Sequence, residues 1–361
     1  MEKASPIIAL GLMSGTSLDG LDMALCEFQH VGNQWKYRIV KAETAPYDAD
    51  WREKLAHAEE LSALDFMLLD REIGRRTAET VNRFLQNAPV RPHLIASHGQ
   101  TIFHQPERGL SVQIGSGAEI AARTGICTIN DFRAMDVALN GQGAPLVPIG
   151  DELLFNQYDA CLNLGGFCNI SFKKSDKRIA FDIAPCNMLL NTLAHLVGKA
   201  YDNGGGMARE GFIFRPLLSQ LNSLEYYKLE GAKSLGKEWF EQILWPIVEK
   251  TEVPVQDKLR TTTEHIATQI AQVLENNHIN SVLVTGGGTK NSYLMDRVRA
   301  LAPDTMVVIP EETTVDFKEA IIFAFLGVLR LRGEANCLQD VTGATHDNCG
   351  GAIWSSQNPA E

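Results

Sequence analysis

No stretch of this 361-residue chain approaches the ~20 consecutive apolar residues that cross a bilayer, and no long basic run interrupts its acidic balance. The first absence argues against a membrane partner. The second, with a net charge of −11, argues against nucleic acid as the main partner. The seven cysteines are odd in number and contain no Cys-x-x-Cys, so buried free thiols are expected rather than a disulfide framework or a zinc site. Residues 1–6 lack the basic start, long apolar centre and small-residue cleavage site of a signal peptide, and the expected compartment is the cytoplasm. Familiar catalytic signatures are missing too. There is no Gly-x-x-x-x-Gly-Lys-[Ser/Thr] loop, no His-Glu-x-x-His and no protein-kinase His-Arg-Asp or Asp-Phe-Gly. The Gly-x-Ser-x-Gly elbow fails because Leu12 stands where the first glycine would precede Ser14.

What is present reads as a globular α/β protein long enough for two domains, with 45% apolar and 21% charged residues. Apolar runs at 6–13, 21–28 and 35–40 look like a strand meander, followed by helical spacing over 50–87, a buried strand at 93–97 and a short helix at 118–124. The second half repeats the theme. Strands are expected at 159–164, 169–172 and 178–182, and helices at 187–199, 216–224, 237–250 and 258–276. A strand at 281–285, a helix at 292–301, a strand at 305–309 and a helix at 318–332 complete it. Two blocks that each open with antiparallel strands and continue into helices predict two similar domains facing a cleft. No low-complexity linker separates them, and the boundary is placed near Phe132.

Several polar, glycine-rich turns can carry chemistry. Gly11-Leu-Met-Ser-Gly-Thr-Ser-Leu-Asp-Gly-Leu-Asp22 joins two strands; its glycines allow close backbone approach to a ligand, and Asp19 and Asp22 can hold a hydrated Mg²⁺. A decorated hairpin turn is the plainer reading. Asn163-Leu-Gly-Gly-Phe-Cys-Asn-Ile-Ser171 is a second glycine-tipped hairpin, and Val284-Thr-Gly-Gly-Gly-Thr-Lys-Asn291 runs a strand through three glycines into a helix. The Rossmann spacing is not met, because Asn291 occupies the place of its last glycine. Asp182, in Phe181-Asp-Ile-Ala-Pro-Cys-Asn187, closes a strand before a helix, where a carboxylate serves either as general base or as helix cap. His98 and His104 have no third ligand at metal spacing, so hydrogen-bonding roles are expected. Arginines in the stretch from Arg123 through Asp131-Phe-Arg-Ala-Met-Asp136 lie beside the glycine-rich turn 140–146, and surface salt bridges are the alternative to ligand binding there.

The order and spelling of these motifs resemble the anhydro-N-acetylmuramic acid kinase family of the sugar kinase/heat-shock protein 70/actin superfamily. The first glycine loop matches almost letter for letter. His98-Gly-Gln-Thr, Ala122-Arg-Thr-Gly-Ile126, Asp131-Phe-Arg, Gly141-Gln-Gly-Ala-Pro-Leu-Val-Pro148, Asn163-Leu-Gly-Gly166, Tyr201-Asp-Asn-Gly-Gly-Gly-Met-Ala208, Gly286-Gly-Gly-Thr-Lys-Asn291 and Glu319-Ala-Ile-Ile-Phe-Ala-Phe-Leu326 follow in family order, over roughly residues 7 to 330. The resemblance implies two actin-like (ribonuclease H-like) domains, 1–132 plus 340–361 and 133–339, with mixed sheets flanked by helices and an interdomain ATP and substrate cleft. It implies ATP-dependent phosphorylation of 1,6-anhydro-N-acetylmuramate with hydrolytic opening of the anhydro bond, using ATP and Mg²⁺, in a cytoplasmic homodimer. A kinase of another sugar and a non-catalytic nucleotide-gated sensor are the rival readings.

By the same resemblance, Asp182 is the catalytic base. Gly15, Thr16, Ser17, Asp19, Gly20, Asn163, Gly165, Gly166, Gly286, Gly287, Gly288 and Asn291 bind the nucleotide, with Asp19 at the metal. His98, Gln100, Thr101, Arg123, Asn187 and Glu319 bind the sugar, with Arg123 on its lactyl carboxylate. Two departures stand out. The family spelling Phe-Asp-Thr-Gly-Pro-Gly-Asn becomes Phe181-Asp-Ile-Ala-Pro-Cys-Asn187, and Asn140 stands where a glycine is usual. If the lost glycines touch phosphate, Ala184 and Cys186 crowd the nucleotide.

Overall fold

The computed structural model describes residues 5–15, 18–229 and 231–355. Contacts divide the chain into two compact units, residues 1–154 with 317–361, and residues 155–316. The sequence reading drew these divisions at 132/133 and 339/340. The helices Pro148–Leu154 and Glu312–Arg332 account for the difference. Gly150 lies directly against Ile322, and Lys318 forms a buried ion pair with Asp151 at 2.6 Å.

In the first unit, β1 (Ile7–Ser14), β2 (Gly20–Val31) and β3 (Gln34–Pro46) form an antiparallel meander. β4 (Leu94–Ser97) then runs parallel to β1. A small hairpin follows, β5 (Gln100–Gln105) with β6 (Leu110–Ile114), and β7 (Cys127–Asn130) returns parallel to β4. The strand Ala352–Trp354 closes the edge antiparallel to β7. Alternation along β1 and β2 sends Leu10, Leu12 and Leu25 into a core shared with Val81, Phe84, Ile95 and Ile120. The helix Ala63–Gln86 covers that face, and Ser62 caps it by accepting from the Asp65 backbone N–H. The helix Glu312–Arg332 approaches the strands so closely that a Cβ on Gly11 would stand 1.8 Å from the Ala320 carbonyl oxygen.

The second unit repeats the plan. β8 (Ala160–Leu164), β9 (Phe167–Lys174) and β10 (Lys177–Pro185) form the meander, and β11 (Ser281–Thr285) and β12 (Met306–Val308) add on in parallel. With the β5–β6 hairpin and the Ala352–Trp354 edge strand set aside, the first sheet runs β3-β2-β1-β4-β7 and the second β10-β9-β8-β11-β12, the same 3-2-1-4-5 order, the ribonuclease H-like plan expected of actin-like domains. The long helix Val255–Asn276 packs Leu259, Ile266 and Ile270 onto Leu162, Ile170 and Val284.

Some elements differ from the sequence reading. The β5–β6 hairpin and β7 were not foreseen, because the hairpin residues are mostly half-buried with weak alternation and β7 is only four residues long. The helix expected over 237–250 contains a π turn at Phe240–Leu244, just before Pro246, which has no N–H to give to the preceding turn. All seven cysteines are free, five of them buried. No helix among the described residues is long and apolar enough to cross a membrane.

Candidate active site

The first unit gathers its polar motifs where β1 and β4 end and β5 begins. Ser14, the last residue of β1, donates from Oγ to Gln100 Oε1 at 2.6 Å, so the Tyr47 hydroxyl 2.9 Å away donates to it in turn. The Tyr47 N–H donates to the Asp19 carbonyl at 3.1 Å, and the Leu18 N–H to the Gly15 carbonyl at 3.2 Å. The glycine loop is thus clamped at both ends. Gly20 has no room for a side chain, since a Cβ would lie 2.5 Å from the Ala45 carbonyl oxygen. Asp19 is exposed, and its carboxylate makes no hydrogen bond or ion pair with the described residues. An unpaired carboxylate of this kind fits a Mg²⁺ whose remaining ligands are water and phosphate oxygens. No group of three or more metal-ligating side chains forms among the described residues. Thr16 and Ser17 lie outside them.

His98 is buried, with its ring tilted against that of Phe323 at a centroid distance of 4.7 Å. Its Nε2 lies 2.8 Å from Arg133 Nη2, and its Nδ1 lies 2.9 Å from the Gly99 carbonyl. Arginine can only donate, so Nε2 accepts and the Nδ1–H donates. Burial first, and the Arg133 charge second, lower the imidazole pKa to about 3, which keeps it neutral. Arg133 also donates from Nη1 to the Gly143 carbonyl at 3.2 Å, while its buried Nε has no partner. Burial lowers the pKa of this guanidinium, and the charge of Glu319 opposes the shift. Glu319 keeps a solvent-accessible side chain in dense surroundings. Desolvation raises its carboxyl, Asp22 adds to the rise, and Lys318 and Arg133 oppose it.

Asp136, which sequence reasoning left unassigned, holds this region in place. Its Oδ2 accepts from the Gly143 N–H at 2.7 Å, and its Oδ1 accepts from Thr342 Oγ1 at 2.9 Å and Asn348 Nδ2 at 2.8 Å. The turn that positions Arg133 is thereby tied to the C-terminal segment. Asn140 in that turn has φ +66°, a conformation asparagine tolerates better than most residues, so this departure from the family spelling keeps the backbone path.

The other sugar-site candidates of this unit sit differently. Thr101 is half-buried on β5, 3.4 Å from Gln113 Nε2. Arg123 is exposed on the helix Gly117–Thr124, where its Nε donates to Glu119 at 3.1 Å and Glu119 also takes Arg75. Among the described residues, Arg123 makes no hydrogen bond or ion pair with the His98 cluster. The signal for Arg133 was available in Asp131-Phe-Arg, but one arginine could not be preferred over the other without the fold.

In the second unit, the turn after β8 meets the turn after β11. Gly286 has φ +86°, and a Cβ there would strike Asn163 Oδ1 and Leu164; a Cβ on Gly288 would stand 2.6 Å from the Leu164 Cβ. Gly166 faces open space, and Gly287 has nothing nearer than Asn187 Nδ2 at 3.8 Å, so both present bare backbone. The Gly165 and Gly166 carbonyls accept from the Asn187, Cys186 and Met188 N–H groups, and Asn187 Nδ2 donates to the Leu164 carbonyl at 2.9 Å. Asn291 caps the helix Ser292–Leu301 by accepting from the Leu294 N–H at 3.0 Å.

Asp182 lies at a bulge in the β9–β10 pairing and is half-buried. Its Oδ2 accepts from the Leu235 N–H at 2.9 Å, its N–H donates to the Lys233 carbonyl at 3.0 Å, and its carbonyl accepts from the Tyr226 hydroxyl at 2.7 Å. Desolvation raises its carboxyl above the ordinary aspartate range, only partly offset by the Leu235 N–H. It does not cap the following helix, since the residue preceding that helix is Cys186. Ile183, Ala184 and Cys186 all point into the hydrophobic core. The expectation that Ala184 and Cys186 crowd the nucleotide is therefore not met, because their side chains face away from the glycine surface.

The chain matches the family profile described as anhydro-N-acetylmuramic acid kinase over residues 7–356. It is 35% identical to the anhydro-N-acetylmuramic acid kinase of Gloeobacter violaceus over 94% of this chain and 96% of that one. It is 36% identical to that of Pseudomonas savastanoi pv. phaseolicola, with 96% and 98% covered. Among solved structures, a ROK family glucokinase from Streptomyces griseus in complex with glucose and AMPPNP overlaps with a TM-score of 0.41 at 12% identity, covering 88% of this chain and 98% of that one, a likeness too distant to bear on activity. On its extended match to the family profile and to these relatives, the chain belongs to the anhydro-N-acetylmuramic acid kinase family.

Proposed function

We propose that this protein phosphorylates 1,6-anhydro-N-acetylmuramate with ATP while water opens the anhydro bond, giving N-acetylmuramate 6-phosphate and ADP in cell-wall recycling. The observation that carries this reading is Asp182: a carboxyl raised by desolvation, with one oxygen fixed by the Leu235 N–H, in the unit that also holds the two glycine turns. Phosphoryl transfer needs positioning and charge stabilisation more than covalent help from the protein.

In the proposed mechanism Asp182 takes a proton from a water whose oxygen bonds to C1 of the sugar. The C1–O6 bond breaks, its electron pair stays on O6, and O6 takes the γ-phosphoryl group as ADP leaves. Asp182 then releases its proton to solvent. Gly15, Asp19 and Gly20, with Thr16 and Ser17, serve the phosphates from the first unit. Asn163, Gly165, Gly166, Gly286, Gly287, Gly288 and Asn291 serve the nucleotide from the second. Mg²⁺, with Asp19 as its protein ligand, would neutralise phosphate charge. His98, Gln100, Thr101, Asn187 and Glu319 are proposed to contact the sugar. Its carboxylate is assigned to Arg133, whose buried Nε has no hydrogen-bond partner among the described residues, in preference to Arg123, which Glu119 already engages. A cytoplasmic homodimer is the accompanying proposal.

ADP release from the purified protein with Mg-ATP tests the reading. Stimulation by the anhydro sugar, and not by N-acetylmuramate, is expected. Nucleotide binding without stimulation by either sugar would favour the sensor or another sugar.

A further inference from the structure

The second unit contains a cavity of about 640 Å³ on the far side of the strand that carries Asp182. Phe181 and Ile183, the residues on either side of Asp182, both line it. Phe172, Ile179 and Val273 complete an apolar floor. Its polar lining holds three lysines, 174, 228 and 233, and the amides of Gln269, Gln272 and Asn276, with no carboxylate among the described lining residues. Lys228 is paired with Glu225 at 2.6 Å, and Lys174 reaches Asn277 at 3.4 Å. Lys233 differs: its Nζ donates to the Tyr226 and Leu229 carbonyls at 3.2 and 3.0 Å and lies over the Phe181 and Tyr226 rings. An ammonium has three donors, so one remains after those two bonds. Burial lowers the pKa of this lysine.

We propose that this cavity binds a small phosphorylated sugar. The volume falls within the roughly 300–1,000 Å³ range of small-molecule sites. The apolar floor suits a sugar face, the amides suit hydroxyl groups, and the lysines suit a phosphate. The segment that supplies Lys233 also supplies the Tyr226 hydroxyl, the Lys233 carbonyl and the Leu235 N–H that hold Asp182. An occupant of the cavity therefore acts on the proposed base through that segment. This regulatory half of the inference rests on the reading of Asp182 as base; the binding half does not.

Calorimetric titration with N-acetylmuramate 6-phosphate tests it, on the wild type and on Lys233→Met, Gln272→Glu and Asp182→Asn, with the thermal midpoint confirming that each variant folds. Two sites per chain are expected in the wild type and in Asp182→Asn. One of them should weaken by about tenfold or more in Lys233→Met and in Gln272→Glu. The noncompetitive part of inhibition by this sugar phosphate should fall with it. A single site in the wild type, or two sites unaffected by both substitutions, overturns the proposal. Equal affinity for inorganic phosphate overturns the sugar assignment. Turnover by Asp182→Asn would remove the base while leaving the count of sites intact, so the two failures are separable.

Discussion

Arg133 and His98 form a buried pair in which the guanidinium donates to a neutral imidazole, Nη2 to Nε2 at 2.8 Å. The pairing directs a cation without spending its charge, because His98 stays unprotonated and, among the described residues, the arginine is held by no ion pair, with the Glu319 charge acting on it only at a distance. A ligand carboxylate can still use that charge.

Arg133→Ala should therefore raise the KM for the acidic sugar by about tenfold or more while the KM for ATP changes little. Arg123→Ala should leave both nearly unchanged and cost about 0.5 kcal/mol of stability or less, as an exposed pair does. Steady-state kinetics on the two variants decide the assignment; a sugar KM that responds to Arg123 alone would reverse it.

Asp182→Asn should lower turnover by about 10²–10⁴-fold with ATP affinity retained. The wild-type rate should fall on acidification through a pKa above the ordinary aspartate range, since the base works only when ionised. The stability effect has the opposite sense. A carboxyl raised by folding stabilises fully only below its unfolded pKa, and that contribution is lost as pH rises through the folded value. At neutral pH the ionised Asp182 is thus a burden, and the asparagine variant should melt at a higher temperature. A lower midpoint would show that the Leu235 hydrogen bond outweighs desolvation.

Two histidines should shape acid sensitivity. His98 and His265 are both buried with pKa lowered to about 3 from 6.5, and His265 is held by Asn222 Oδ1 at 2.6 Å and the Tyr227 hydroxyl at 2.9 Å. The unfolded chain takes up their protons below pH 6.5 while the folded one does not, so stability drains as pH falls from 6.5 towards 3. Each histidine contributes a slope of about 1.4 kcal/mol per pH unit within that window. Denaturant unfolding of His265→Gln should show a shallower slope than wild type; an equal slope would mean His265 protonates in the fold.

Cys186→Gly restores one of the two lost glycines of the family spelling, and ATP affinity should stay within about twofold, since the side chain it removes is 0% exposed and packs in the core. Stability should drop by about 2 kcal/mol, from lost burial and added chain freedom. Nucleotide titration and thermal melting check both halves.

Much of this was legible before the fold. The β8–β10 meander, the strand before Gly286 and the helix before Asn276 were read within a few residues, because apolar periodicity and glycine punctuation agree there. The glycine turns were legible as motifs because Gly286 and Gly288 face backbone and side chains at distances that leave no room for a Cβ. Asp136 was not, because its partners Thr342, Asn348 and Gly143 are brought to it only by tertiary folding. The inward orientation of Ala184 and Cys186 was equally hidden, since the bulge after Asp182 breaks the alternation that would have revealed it. The final helix was read from residue 318, yet it begins at Glu312.

That helix touches the first sheet through two positions without a Cβ. Gly11 on β1 meets the Ala320 carbonyl, and Gly327 on the helix meets Ala96 and Leu94 on β4. At Gly11 the contact is main chain against main chain, a hard stop, whereas the Ala96 and Leu94 side chains that meet Gly327 make a more compliant bearing. Glu319, one residue before Ala320, therefore has its height above β1 set like a gauge block rather than by packing that could relax. The glycine loop starts only a few residues beyond Gly11. Any wedge inserted at Gly11 would shift carboxylate and loop together, so tolerance at this point is measured in tenths of an ångström.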